Sequence, residues 1–226
     1  MKIAVYTSIF GGYDNLHENQ HKIDGVDYIC FTDMDIKSDT WKIVKSTPIY
    51  SDANRNAKKY KILPHRYLSE YDCSLWVDGN ILIRKDFTPL VDKHSYQVFD
   101  HNQTRLDPRD CIYKEYNAIM QLGQQNGGSY KDNPQLMYNQ IKRYQDEGYP
   151  ENNGLATNPI ILRNHNEKNV IRTMEAWWDE IKHNSRRDQL SFDYIMWKEK
   201  YTYQFLEGDS RDNEYFLQTG KHKGKR

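Results

Sequence analysis

The sequence predicts an α/β domain in which a mixed, mostly parallel sheet is flanked by helices. Short runs rich in β-forming residues, such as 2–7, 26–33 and 74–77, end in polar turns. Segments with helical spacing lie among them, and the clearest is the amphipathic stretch 167–183. A length of 226 residues suits one such core rather than two. We therefore expect a single domain over 1–226, with its core at about 1–205 and a basic tail at 218–226.

The first strand, at 2–7, runs into the loop 8–14, which contains two adjacent glycines. Glycines permit positive φ and allow the backbone to approach a ligand closely. The loop has neither the GxGxxG nor the P-loop pattern, which argues against those dinucleotide and ATP sites. A polar loop after a central strand suits the base and ribose of a nucleotide. The candidate nucleotide-binding residues here are Thr7, Ser8, Phe10, Gly12, Tyr13 and Asp14.

Two further strands are predicted at 26–33 and 41–44, the second at a sheet edge, and a helix is predicted at 52–68. Pro64 is expected to kink or end this helix. One helical stripe is apolar and faces the core. A second stripe has two interpretations, a solvated basic face or a set of cations that binds a diphosphate. It consists of Asn54, Lys58, Lys61 and His65, of which Lys58 and Lys61 are the candidate nucleotide-binding residues.

The segment 74–83 is an apolar run, the turn Asp78-Gly79-Asn80 and a second apolar run. One interpretation is a simple hairpin, because Asp-Gly between apolar runs is a strong turn signal. The other is a buried strand that places a carboxylate at its carboxyl end, where open α/β sheets bind their ligands. In that case Asp78 and Asn80 would lie beside a divalent metal that holds a sugar-nucleotide diphosphate.

The rest of the chain continues the alternation of strands and helices. A strand at 96–100 leads into the segment 101–115, a loop running into a helix, which is rich in His, Arg and Glu. Loops at strand ends often carry function. A helix at 135–147, a strand after the turn at 153, the helix 167–183 and a helix from 186 to about 198 follow. Asp188, near the start of the last helix, either caps it or holds a substrate hydroxyl.

Composition excludes several classes of function. The 32 basic and 32 acidic residues balance, so no overall charge favours nucleic acid or membrane as a partner. Cys30, Cys73 and Cys111 lack CxxC spacing, which argues against a zinc site or disulfide framework and suits a reducing compartment. No apolar run approaches the roughly 20 residues needed to span a bilayer. We expect a cytoplasmic protein without a membrane span.

Four motifs in a fixed order resemble a known family. They are Tyr-Thr-x-x-Phe-Gly-x-Tyr-Asp from residue 6, Lys-x-x-Pro-His ahead of Trp-Val-Asp-Gly-Asn, the run from His101 through Arg109 to Glu115, and Arg-Asp-Gln-x-Ser-Phe from residue 187. Together they are similar to short GT-A glycosyltransferase domains of plant cell-wall proteins, bacterial proteins and the capsid-glycan enzymes of large algal viruses. The similarity covers roughly residues 3 to 198. For a viral member, the compartment would be the host cytoplasm.

This resemblance implies a GT-A-like, Rossmann-like fold. It also implies an enzyme that transfers a sugar from a nucleotide-diphosphate sugar, a UDP-sugar in the first place, to a glycan or glycoprotein acceptor. Such enzymes are usually assisted by Mn²⁺ or Mg²⁺. The family's Asp-x-Asp motif falls on Asp78 and Asn80, where an amide replaces the second carboxylate. His222, followed by Gly224 and Lys225, resembles a third metal ligand.

The same resemblance assigns roles to side chains beyond the metal. Asp188 and Gln189 match a pair that lies against the donor sugar in retaining enzymes. The candidate contacts for the donor and acceptor sugars are Asp78, Gly79, His101, Arg109 and Asn158. The resemblance does not specify the oligomeric state.

Two mechanisms and two rival functions remain open at this stage. Inversion would need a carboxylate as base for the acceptor hydroxyl, either Glu115 or Asp188. Retention would need none and would give Gln189 the place beside the anomeric carbon; we favour retention. A sugar nucleotidylyltransferase is disfavoured because the loop 8–14 lacks its Gly-rich basic signature. A catalytically degenerate module that binds nucleotide sugar or carbohydrate stays possible because of Asn80.

Overall fold

A computed structural model describes residues 1–91 and 93–220. Nine β-strands and five α-helices are found in this part of the chain. The strands are β1 Ile3–Ile9, β2 Val26–Thr32, β3 Lys42–Lys45, β4 Cys73–Val77, β5 Ile81–Ile83, β6 Tyr96–Asp100, β7 Ala156–Arg163, β8 Gln204–Leu206 and β9 Phe216–Gln218. The helices are α1 Ala53–Ile62, α2 Ile112–Gln125, α3 Pro134–Asp146, α4 Lys168–His183 and α5 Asp188–Lys198.

Seven strands form the main sheet in the order β3-β2-β1-β4-β7-β6-β8. The pairings β1–β2, β2–β3, β1–β4 and β6–β8 are parallel, whereas β7 is antiparallel to both of its neighbours. Six strands therefore run in one direction and β7 runs in the other. β1 is central and β3 lies at an edge, as their sequences predicted. The prediction of a mixed, mostly parallel α/β fold of GT-A type is confirmed.

The helices pack on one face of the sheet. Side chains alternate along β1, so Tyr6 belongs to the core that contains the buried apolar residues of all five α-helices, and Val5 belongs to the core on the opposite face. The second core is closed by loops and by the β5–β9 pair, without an α-helix from the described residues. Loops replace helices between β1 and β2 and between β2 and β3, where the chain is short and polar.

The Asp78-Gly79-Asn80 turn is not a hairpin. β4, which precedes it, pairs with β1 and β7 in the main sheet. β5, which follows it, pairs instead with β9, with Leu82 opposite Leu217. The turn therefore lies where the chain leaves the main sheet at the carboxyl end of β4. The hairpin interpretation of 74–83 is wrong because the second apolar run is covered by a strand from the C-terminal region.

Helix α1 is shorter than the predicted 52–68. It ends at Ile62, and Pro64 begins a short 3₁₀ turn. Proline has no N–H to continue the helix, so the Tyr60 carbonyl has no i+4 donor. The basic stripe is therefore interrupted before its last member. His65 pairs with Glu175 of α4 at 2.8 Å instead.

The five α-helices do not include a membrane-spanning segment. Within the described residues, none combines the length and apolar composition that a bilayer crossing requires.

Candidate active site

A cavity of about 920 Å³ opens at the edge of the main sheet where β1, β4 and β6 end. These three strands run in the same direction, so their carboxyl ends meet at one edge, while reversed β7 begins there. The Asp78 N–H donates to Pro159 O of β7 at 2.8 Å, which joins the turn to that strand. This is the edge at which open α/β sheets bind ligands.

Thirteen of the predicted site residues line this cavity. They come from the loop after β1, helix α1, the turn after β4, the loop after β6, α2, β7 and α5: Ser8, Tyr13, Asp14, Lys58, Lys61, Asp78, Gly79, His101, Arg109, Glu115, Asn158, Asp188 and Gln189. Residues separated by more than 180 positions in the chain are therefore brought to one surface.

A network of lysines and carboxylates occupies the centre of the site. Lys61 Nζ lies 2.8 Å from Asp188 Oδ2 and 3.2 Å from Asp78 Oδ1. Lys58 Nζ lies 3.0 Å from Asp188 Oδ1. The Trp76 indole donates to Asp78 Oδ1 at 2.8 Å and so fixes the carboxylate from the core side. Two of the stripe residues predicted on α1 thus face the cavity.

The charges in this network control one another's protonation. Burial alone would raise the pKa of Asp188. The positive charges of Lys58, Lys61 and Arg187 outweigh burial and hold this pKa well below its ordinary range. Burial lowers the pKa of Lys58, against the attraction of Asp188. Burial also opposes the charge on Lys61, but Asp188 and Asp78 outweigh it and raise its pKa. Asp188 is therefore ionised and a weak base.

Asp188 is the first residue of α5, but its side chain does not cap the helix. Arg187 occupies the N-cap position, and no side-chain hydrogen bond is made there. The Asp188 carboxylate instead points across the cavity to the lysines of α1. The capping interpretation of Asp188 is therefore wrong, and the alternative, that Asp188 holds a substrate hydroxyl, stays a prediction.

A second charged cluster lies beside the loop after β6. Arg109 Nε donates to Glu115 Oε2 at 2.8 Å, and Arg109 lies 3.2 Å from His101 Nε2. The other oxygen of Glu115, Oε1, is 3.7 Å from Arg187. Glu115 is only 2% exposed, so both of its oxygens face arginines inside the protein. Burial, together with the nearby arginine, lowers the pKa of His101, which keeps the ring neutral.

Buried polar atoms without partners lie at one wall of the cavity. Asn158 is 4% exposed, and neither its Oδ1 nor its Nδ2 has a hydrogen-bond partner among the described residues. His101 Nδ1 is also buried without a hydrogen-bond partner among the described residues. Leaving a buried polar group without a hydrogen bond costs free energy, so each such group calls for an explanation. Gln189 Nε2 donates to Ala156 O at 3.2 Å, which orients its amide at the same wall.

Side-chain oxygens of the kind that ligate metal ions lie at the Asp78-Gly79-Asn80 turn, which was predicted to bind a metal. The Asn80 amide donates through Nδ2 to Gly220 O at 2.7 Å, whereas its buried Oδ1 has no partner in the described part of the chain. A Cβ at Gly79 would lie 3.0 Å from Asp14 Cβ, so the absence of a side chain there allows Asp14 to pack against the turn. Mg²⁺ and Mn²⁺ prefer such oxygen ligands.

The residues present fit a divalent cation held by few protein ligands. Between residues 1 and 220, apart from position 92, no three His, Cys, Asp or Glu side chains are grouped as ligands. Mg²⁺ in nucleotide sites is commonly bound by one or two carboxylates together with substrate phosphates. Asp78, Asn80 Oδ1 and Asp14 would hold it here. His222, the predicted third ligand, lies outside the described residues.

Four predicted residues lie near the cavity without lining it. Asn80, the last residue of the turn, is 5% exposed. Thr7 is 1% exposed within β1, and Phe10 stacks on Tyr60 of α1 with ring centroids 5.6 Å apart. Gly12 is exposed and adopts a φ of +64°, a conformation that glycine favours.

Several lining residues were not predicted. Trp76 immediately precedes the turn, and Arg186 and Arg187 immediately precede Asp188, so adjacency in sequence was an available signal. Ser210, Arg211 and Gln218 come from the C-terminal segment, for which the sequence offered no motif. With these residues, Lys131 and Asp52 included, seven Lys and Arg side chains and five Asp and Glu side chains line the cavity. The surplus of positive charge favours an anionic ligand.

Comparison with known proteins identifies the family. The model of the TOD1/MUCI70, glycosyltransferase-like domain family matches residues 27–213. A curated relative from Arabidopsis thaliana, "Probable hexosyltransferase MUCI70", is 26% identical over 167 residues, which cover 69% of this chain. The match covers 27% of the relative's own length. Most of the cavity residues described above lie inside the matched span. The chain belongs to the TOD1/MUCI70 glycosyltransferase-like domain family.

Proposed function

We propose that this chain transfers a sugar from a nucleoside-diphosphate sugar, a UDP-sugar in the first place, to a glycan acceptor. The observation that carries the proposal is the network of Lys58, Lys61, Asp78 and Asp188 inside a cavity at the carboxyl edge of the sheet. The two lysines and the excess of cationic side chains in the lining complement the negative charge of a diphosphate. Family membership supports glycosyl transfer, and the volume is within the range of small-molecule sites.

In this proposal the lysines stabilise the leaving group. Glycosyl transfer breaks the bond between the anomeric carbon and the diphosphate, so negative charge grows on the phosphate oxygens in the transition state. Lys58 and Lys61 are fixed beforehand by Asp188 and Asp78, so little reorganisation is needed when that charge appears. Tyr13 of the loop after β1 would contact the base and ribose, and Asp14 beside it would face the cation.

A divalent cation is part of the proposal. Asp78, Asn80 Oδ1 and Asp14 would hold Mn²⁺ or Mg²⁺, which when bound supplies further positive charge for the diphosphate. The chain's own part is to present these oxygens and to keep Asp78 oriented through the Trp76 indole.

We favour retention of the anomeric configuration. Inversion needs a general base for the acceptor hydroxyl, and the two candidate carboxylates are poorly suited to it. Asp188 is held ionised by three cations, and both oxygens of Glu115 face arginines. Gln189, Asn158 and His101 line the wall where a donor sugar would lie. Their neutral polar groups can bind its hydroxyls.

Replacement of Asp78 tests the proposal. We expect Asp78→Ala to lower the release of UDP from UDP-sugars at least about 100-fold, because a preorganised electrostatic contact in the site is removed. The measurement is free UDP in the presence of Mn²⁺ and glycan acceptors. Asp35→Ala, at an exposed carboxylate that pairs with Lys45, is the matched control and should retain full activity.

Two outcomes would count against the enzyme. Full activity in a folded Asp78→Ala protein would refute the assigned site. Binding of UDP by the unaltered chain, with no UDP released from any donor over long incubation, would favour the alternative of a degenerate binding module, which Asn80 keeps open. Calorimetric titration of UDP with Mn²⁺ and with EDTA would measure the contribution of the metal.

A further inference from the structure

Arg163, the last residue of β7, is a fully buried cation behind the cavity. Among the residues that the structure describes, no carboxylate lies within ion-pair distance of its guanidinium. NH1 contacts Tyr96 OH at 3.3 Å and Met174 Sδ at 3.2 Å. NH2 donates to Tyr6 OH and to the backbone carbonyl of Lys61. Arginine stays charged even when it is buried, so this arrangement is costly and requires an explanation.

The carbonyl of Lys61 is where these contacts converge. It belongs to the last turn of α1, whose carbonyls have no donors within the helix. Tyr6 OH donates to the same oxygen at 2.8 Å, so one carbonyl accepts both the tyrosine hydroxyl and the buried guanidinium. A cation at this end of the helix is also favoured by the helix dipole. The backbone of Lys61 is therefore fixed from the core side.

The side chain of the same residue reaches into the site. Lys61 is 3% exposed, and its Nζ lies between Asp78 and Asp188. The Tyr6 ring packs edge-on against Trp76, with centroids 5.2 Å apart, and the Trp76 indole holds Asp78. Tyr6 thus contacts both the backbone of the lysine and the aromatic ring beneath its ammonium, but it does not line the cavity.

We propose that Tyr6 and Arg163 are positioning residues that hold the Lys61 ammonium where it meets the donor's diphosphate. The inference rests on the proposed function for its ligand. The uncompensated charge of Arg163 is retained because a guanidinium supplies several donors in a fixed plane. It can bond the Lys61 carbonyl and Tyr6 at once while also contacting Tyr96.

Two tyrosines allow a matched test. Tyr6 and Tyr96 are both buried, and both hydroxyls contact Arg163, but only Tyr6 touches Lys61. Calorimetry with UDP and Mn²⁺ should show about 3- to 10-fold weaker binding for Tyr6→Phe, the range expected for one lost hydrogen bond. Tyr96→Phe should change the affinity by less than about 2-fold. Thermal unfolding of both variants controls for general destabilisation.

A double-mutant cycle distinguishes positioning from a general structural effect. If Tyr6 acts through Lys61, Tyr6→Phe should cause no further loss of UDP affinity in a Lys61→Met background. The same loss in both backgrounds, or equal effects of Tyr6→Phe and Tyr96→Phe, would overturn the proposal.

A second measurement does not depend on the ligand. Acetylation of Lys61 by acetic anhydride, followed by mass spectrometry, should be faster in Tyr6→Phe than in Tyr96→Phe or the unaltered chain. If the unaltered chain does not bind UDP, the proposed function fails, and this rate decides the positioning role by itself. Equal labelling of Lys61 in all three proteins would refute it.

Discussion

Asp188 determines the charge balance at the centre of the cavity. Its two oxygens are shared between Lys58 and Lys61, and its side chain is only 10% exposed. The lysines keep Asp188 ionised, and its negative charge in turn offsets the cost of burying their two ammonium groups. A diphosphate that enters the cavity would meet the same two ammonium groups. Under the proposed function, Asp188 would therefore oppose nucleotide binding electrostatically while it organises the lysines for it.

Asp188→Asn separates these two effects. The substitution preserves the size of the side chain and removes its charge, so we expect UDP to bind about 5-fold more tightly because Lys58 loses its competing carboxylate and Lys61 keeps only Asp78. The free energy of unfolding should fall by about 3 kcal/mol, since buried Lys58 loses its ion-pair partner and buried Lys61 loses one of two. Calorimetry with UDP and urea denaturation measure the two quantities.

The control is Asp193→Asn on the same helix, whose carboxylate binds Ala156 N and Tyr203 OH and is absent from the cavity lining. It should leave UDP affinity unchanged. Weaker UDP binding in folded Asp188→Asn would contradict the electrostatic account.

At the scale of elements, the junction between β7 and α4 is anchored by a buried histidine. His165 is fully buried, and its ring bonds Leu68 O through Nε2 at 2.8 Å, which ties this junction to the segment after α1. Burial lowers the pKa of His165 to about 4, and the nearby Arg163 acts in the same direction. The folded protein therefore contains a neutral ring over most of the acidic range.

The stability of the fold should depend on pH through His165. Below its ordinary pKa of 6.5 the unfolded chain binds a proton at this ring and the folded chain does not, so stability falls as the pH decreases towards about 4. The loss should approach about 3 kcal/mol. In urea denaturation between these pH values, His165→Gln should show a flatter dependence than the unaltered chain.

His183→Gln is the matched control, since this histidine lies on the exposed end of α4. An unchanged slope in His165→Gln, or an equal change in His183→Gln, would show that another group causes the acid sensitivity.

At the scale of the whole molecule, the C-terminal segment completes the site. β9 pairs with β5, Thr219 N donates to Asn80 O at 2.9 Å, and Gln218 lines the cavity. Phe216 is fully buried and packs edge-on against Phe99 of β6, which fastens this segment to the main sheet. The turn after β4 is therefore held between the sheet on one side and the C-terminal strand on the other.

Phe216→Ala should weaken both the fold and the site. Removing a fully buried phenylalanine is expected to cost about 3–4 kcal/mol of unfolding free energy, because a cavity remains in the second core. UDP affinity should fall as well at temperatures where the variant is folded, since β9 no longer holds the turn. Phe205→Ala, at a side chain 39% exposed, should cost less than about 1 kcal/mol. Similar losses in the two variants would contradict this role of β9.

Local pattern in the sequence was sufficient for most elements of the fold and for several candidate residues of the site. Alternating and continuous apolar runs indicated β1, β2, β4 and β6, and helical spacing indicated the buried face of α4. The same periodicity placed Lys58 and Lys61 on one stripe of α1, and a β-rich run before Asp78 placed that carboxylate at a strand end. These features depend on neighbours within a few residues, which a sequence displays directly.

Only the tertiary structure decided how these pieces meet. Whether 74–83 was a hairpin depended on β9, more than 130 residues further along, because a strand's own sequence does not specify which strand it pairs with. The direction in which Asp188 points depended on α1, and the buried contact between Arg163 and Lys61 joins strand ends and a helix end far apart in sequence. Long-range pairing and burial, which carry most of the stabilisation of a fold, are properties of the assembled chain.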